Sequence, residues 1–148
     1  MKKILITLSC LVFSAHAMAA GGLDGFLSKL NAQARSDLAG FSARISAQFG
    51  IPDAQVKVVI STVKQPADAF MVFQLGKMAN QPTDRVMQVY QDGKGRGWGA
   101  LAKDLGIKPG SAEFHALKRG DFRLDGAPGG DDPGSGKGKG KGKGKRQD

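Results

Sequence analysis

From Leu23 onward, apolar residues recur at Leu23, Leu27, Leu30, Ala34, Leu38, Phe41 and Ile45. Steps of three and four place them on one face of a helix. Lys29, Gln33, Arg35, Asp37 and Arg44 fall mostly between them, so the pattern predicts one long amphipathic helix over residues 23–49. Gly50 closes it, because a left-handed stop is most easily made without a Cβ. Pro52 opens the next helix, where a missing N–H is harmless in a first turn. That helix carries Val56, Val59, Ile60 and Val63, again at helical spacing although rich in β-branched residues.

A Gln65-Pro66 step interrupts the chain, and residues 67–79 follow with Phe70, Met71, Val72, Phe73, Leu75 and Met78 spread nearly all round. A helix that is apolar on most sides belongs in the middle of a bundle. Asn80 is read as its cap and Pro82 as a breaker. Thr83 or Asp84 is read as the N-cap of a helix holding Val86, Val89 and Tyr90. Gly93, Gly95, Gly97 and Gly99 then alternate through a loop containing Lys94, Arg96 and Trp98. A short helix over 99–105 ends at Gly106, and Ser111 caps a last helix carrying Phe114 and Leu117. The expected fold class is all-α: a small helical bundle of five to six helices spanning roughly residues 21–122.

The two ends do not fit this pattern. Lys2 and Lys3 precede an apolar run from Ile4 to Phe13, and Ala17-Met18-Ala19 forms a small-residue cleavage site, so residues 1–19 read as an export signal. The run is shorter than the about 20 apolar residues that span a bilayer, and no later stretch reaches that length, so no transmembrane anchor is expected. Cys10 lacks the surroundings of a lipidation site, since the apolar run continues through Leu11, Val12 and Phe13. The product is expected to be periplasmic or secreted. Residues 126–148 contain Gly, Pro, Asp, Ser and Lys with Ala127 as the sole aliphatic residue, too little to offset the ordering entropy, and they read as a disordered tail.

Removal of the signal takes with it the chain's one cysteine and His16, leaving His115 as the sole histidine. A zinc site needs three or four ligands from Cys, His and carboxylates, so no metal site is expected, and no cofactor motif is present. A serine nucleophile would need a G-x-S-x-G elbow, which the chain lacks. Aspartates are abundant, but Asp53, Asp84 and Asp92 sit at apparent helix starts or turns, where capping accounts for them better than the paired carboxylates of a glycosidase. The Gly93 to Gly99 cluster has no preceding strand, so it reads as an interhelical turn with Trp98 on the core rather than a phosphate cradle. No catalytic residue is assigned, and the chain is read as a binding protein rather than an enzyme.

Charge gives that reading its direction. The net charge is +9, and residues 127–148 hold six Lys and Arg against three Asp. Lys137, Lys139, Lys141, Lys143 and Lys145 alternate with glycine ahead of Arg146, a flexible cationic array suited to an anionic envelope polymer, a lipid headgroup surface or extracellular nucleic acid. It has no aromatic residue to stack on bases, so sequence-specific reading is not expected. Lys94, Arg96 and Trp98 form a second candidate interaction loop. The alternatives are a structural or chaperone-like helical protein that binds protein partners and, ranked below it, a carboxylate-dependent envelope hydrolase.

The stretch Gly97-Trp98-Gly99-Ala100-Leu101-Ala102-Lys103-Asp104-Leu105-Gly106-Ile107-Lys108-Pro109-Gly110 resembles a motif of uncharacterised exported bacterial proteins, GWGxxAxxLGIxPG. The resemblance covers about residues 82–118 and implies no activity. Ala102, Leu105, Gly106 and Ile107 within it also resemble the first helix and turn of a helix-turn-helix, in which a small residue lets helices approach and glycine makes the corner. Pro109-Gly110 departs from that turn. Export would keep the chain from chromosomal DNA, so the likeness is read as packing geometry.

Overall fold

The computed structural model describes residues 21–125; the expected export signal and the Lys137 to Arg146 array lie outside the described residues. Those residues form seven α-helices with no strand among them: α1 (Gly22–Ser36), α2 (Leu38–Phe49), α3 (Asp53–Thr62), α4 (Pro66–Ala79), α5 (Thr83–Asp92), α6 (Trp98–Asp104) and α7 (Ala112–Arg119). The described body is all-α. The count exceeds the expected five to six because the long first helix is two helices.

The division falls at Asp37, whose backbone leaves the helical region at φ −153°, ψ 87°. Its carboxylate accepts a hydrogen bond from the Gly40 N–H at 2.8 Å and so starts α2 afresh. Short carboxylates compete for backbone N–H groups in this way, which makes them better caps than helix interiors. The apolar spacing continues through the break, and periodicity alone therefore hides it. In an unbroken helix Phe26 and Phe49 would stand roughly 34 Å apart at 1.5 Å per residue. Instead both rings meet Phe70 edge-on, at 5.2 and 5.6 Å between centroids.

Helix α4 is the centre of the bundle, packed against α1, α3 and α5. Ala67, Ala69, Phe70, Met71, Val72 and Leu75 on it are all fully buried, as an all-round apolar helix requires. Its first turn is capped from outside, the side-chain oxygen of Asn31 on α1 accepting from the Ala67 N–H at 2.9 Å. Gly50 and Asn80 take the left-handed conformation that ends α2 and α4, and the Ser111 hydroxyl caps α7 by accepting from the Phe114 N–H. Pro82, rather than Thr83 or Asp84, occupies the N-cap position of α5, with no side-chain hydrogen bond there.

The packed body continues past residue 122. Leu124 is buried and Phe122 lies against Phe26. The Gln48 amide clasps this segment at both ends: its Nε2 donates to the Arg123 carbonyl at 2.8 Å, and its Oε1 accepts from the Asp125 N–H at 2.9 Å. One side chain thus serves an otherwise irregular backbone as a neighbouring strand would.

Candidate functional site

The short connection between α3 and α4 brings Lys64 and Asp68 beside the C-terminal end of α5. Gln65 and Asp68 form a reciprocal capping box at the start of α4. Asp68 Oδ2, already bonded to the Gln65 N–H at 3.1 Å, also accepts from the Tyr90 hydroxyl at 2.8 Å. The same hydroxyl oxygen accepts from the Lys64 N–H at 3.0 Å. Burial raises the Tyr90 phenol above its ordinary value; the Lys64 N–H opposes this, while the bond to Asp68 and the charge it carries add to it. Tyr90 therefore remains a neutral donor through the physiological range.

Beyond Tyr90 the chain turns sharply. Gly93 is buried, and a Cβ there would fall 2.2 Å from a Leu101 methyl and 2.9 Å from the Val89 carbonyl. Only glycine lets the loop pass this close to α6. Gly95 and Gly97 sit at φ +85° and +81° in open space, so backbone conformation selects glycine at those two positions. The turn delivers Trp98 onto Tyr90, the rings stacked at 5.6 Å with 25° between their planes. Tyr90 is buried, whereas Trp98 stays half-buried.

Together these residues enclose an open cleft of about 560 Å³. Trp98, Leu101 and Val63 supply apolar wall, Tyr90 and Asp68 polar floor, and the exposed Lys64 and Lys94 a cationic rim. Of the loop residues singled out from the sequence, Lys94 and Trp98 line the cleft. Arg96 does not: its guanidinium turns to Asp104 on α6, at 2.6 Å. Lys64, Asp68 and Tyr90 were not singled out. A capping-box spacing marks Asp68 locally, but only the tertiary fold joins it to Tyr90.

Several other ionisable groups are committed elsewhere. Asp53 takes hydrogen bonds from Lys57 and Ser42, in that order of effect, and these hold its carboxyl below the usual range. Asp121 pairs with Arg119. Asp24, Asp84 and Glu113 occupy first turns, where the helix dipole favours negative charge. His115 is exposed on α7 and is not among the residues lining the cleft. Among the described residues no group of three or more His, Cys, Asp or Glu is placed to hold a metal ion, and no helix is long and apolar enough to cross a membrane.

Among the described residues, fold and site thus define an all-helical body with an aromatic-walled, cation-rimmed cleft at the α5–α6 corner. Set against protein families, curated proteins and solved structures, the chain matches none of them significantly.

Proposed function

We propose that this chain is an exported, non-enzymatic binding protein that engages anionic envelope polymers. The observation that carries the reading is the cationic array of Lys137, Lys139, Lys141, Lys143, Lys145 and Arg146, spaced by glycine. A run of positive charge binds a polyanion by releasing condensed counterions, with an affinity that falls steeply as salt rises. The use of body carboxylates as caps and ion-pair partners supports the same reading, since it gives Asp37, Asp53, Asp68, Asp104 and Asp121 a task in folding.

A second reading, a structural or chaperone-like role toward protein partners, draws on one surface feature. Leu38 and Val58 are 50% and 64% exposed, and Leu38, Ala39 and Ile60 line a shallow apolar groove of about 430 Å³.

The deciding experiment passes the full chain, and a variant with all six tail cations replaced by Gln, over immobilised polygalacturonate. The full chain is expected to be retained and released by rising salt, and the variant to elute at markedly lower salt. Equal retention of both proteins, or retention indifferent to salt, would overturn the electrostatic reading.

A further inference from the structure

We propose that the Trp98 cleft binds one carboxylated pyranose unit of an anionic polysaccharide, the apolar face of the sugar ring on the indole and its carboxylate between Lys64 and Lys94. The proposal extends the polyanion reading above from a charged tail to a shaped site. Tail binding alone distinguishes polymers by charge density. A cleft would distinguish them by the sugar they contain.

The volume of about 560 Å³ lies within the range of roughly 300 to 1,000 Å³ usual for small-molecule sites. One ring of the stacked aromatic pair is buried and fixed by hydrogen bonds, and it backs the other, half-buried ring. Trp98 is therefore a preorganised platform, and holding an indole in place before binding reduces the ordering cost of association.

The lining selects a sugar over a flat aromatic acid. Val63, Trp98 and Leu101 suit the C–H face of a pyranose, while Thr62, Asp68 and Tyr90 also line the cleft; the two hydroxyls donate to the Val58 carbonyl and to Asp68, and all three groups keep acceptor capacity for ring hydroxyls. A flat aromatic acid would use none of the acceptor capacity these groups keep beyond the bonds they already make. Among the described residues, the hydrogen bonds from the Gln65 N–H and the Tyr90 hydroxyl both fall on Oδ2 of Asp68. Its remaining acceptor capacity is on Oδ1.

Charge sets the sign of the occupant. The two lysines outweigh the single carboxylate among the cleft residues, so an anion is favoured.

Trp98 is the chain's one tryptophan, so its fluorescence reports on this cleft alone. Titrating the full chain with trigalacturonate should give a saturable change, and neutral maltotriose should give little or none. Lys64→Gln and Lys94→Gln, both at exposed positions that leave the fold intact, should each weaken trigalacturonate binding about tenfold, the worth of a lost charge-assisted hydrogen bond. Trp98→Leu, read by calorimetry with helix content checked by circular dichroism, should abolish it.

The six-fold tail variant should retain the Trp98 response undiminished even where it no longer holds to polygalacturonate, so tail and cleft fail separately. Absence of a saturable response, equal affinity for maltotriose, unaltered affinity in both lysine variants, or benzoate binding as tightly as the uronate would each overturn the assignment.

Discussion

Two aromatic clusters in this molecule are built on opposite plans. Around Phe70, which is wholly buried, rings from α1 and α2 converge edge-on and Phe122, from the segment after α7, lies tilted against it, and the polar contacts stay at the margin, where Gln48 holds Arg123 and Asp125. At the α5–α6 corner the two rings lie nearly parallel, one is hydroxylated and hydrogen-bonded, and glycines stand where side chains would otherwise close the gap. Apolar surface seals when every face has an apolar neighbour. Where a buried hydroxyl must keep company with a carboxylate and a backbone N–H, the sealing stops short and leaves a cleft.

If the Phe70 cluster carries the fold, removing its hub should be the most damaging single change. Phe70→Ala is expected to cost about 3 to 5 kcal/mol, the usual range for deleting a fully buried phenyl, because four other aromatic rings share its cavity or its partners. Urea unfolding followed by far-ultraviolet dichroism measures this. A loss below about 1 kcal/mol would mean that the cavity collapses and that the cluster is less rigid than its edge-on geometry implies.

The corner should yield to a different change, an added atom. Gly93→Ala sets a methyl against the Leu101 side chain and the Val89 carbonyl, and the backbone contact cannot move aside cheaply. Overpacking of this kind costs about 1 to 3 kcal/mol. Because Gly93 and Leu101 both line the cleft, the damage should also appear as a blue or red displacement of Trp98 emission in the folded protein. Stability lost without any change in emission would separate the loop from the indole and break the link drawn between them.

Much of the body was legible in the sequence for local reasons. The all-round apolar character of residues 67–79 placed α4 at the centre, and Gly50, Asn80 and Ser111 marked ends that the backbone keeps. Asp37 reads as one polar position on a continuous helix, since a cap within an unbroken heptad-like rhythm leaves the rhythm intact. The expected bound at residue 122 stops short of Leu124, because the partner that fixes the backbone on either side of it, Gln48, lies far away along the chain. The cleft was half-visible: a glycine-rich turn announces Lys94 and Trp98, but Asp68 and Tyr90 are 22 residues apart and meet only through the packing of α4 on α5.

The subtlest test addresses the hydroxyl that joins those two helices. Tyr90→Phe keeps the ring and its stacking on Trp98 but strips one bond from Asp68 and one from the Lys64 N–H. Lys64 is exposed and Asp68 only half-buried, so water can replace part of what is lost. The cost at neutral pH should be about 1 kcal/mol, the low end for a broken hydrogen bond. The pH dependence is sharper. Tyr90 ionises less readily folded than unfolded, so the stabilisation it confers is complete below the ordinary phenol value of 10.0 and is lost as pH rises through the higher folded value. Tyr90 is the chain's one tyrosine, so absorbance of the phenolate follows it directly. The unsubstituted protein should lose stability on that alkaline limb and Tyr90→Phe should not. Identical alkaline limbs in the two proteins would show that the α4–α5 corner owes nothing to this hydroxyl, and that the cleft stays open because of its glycines alone.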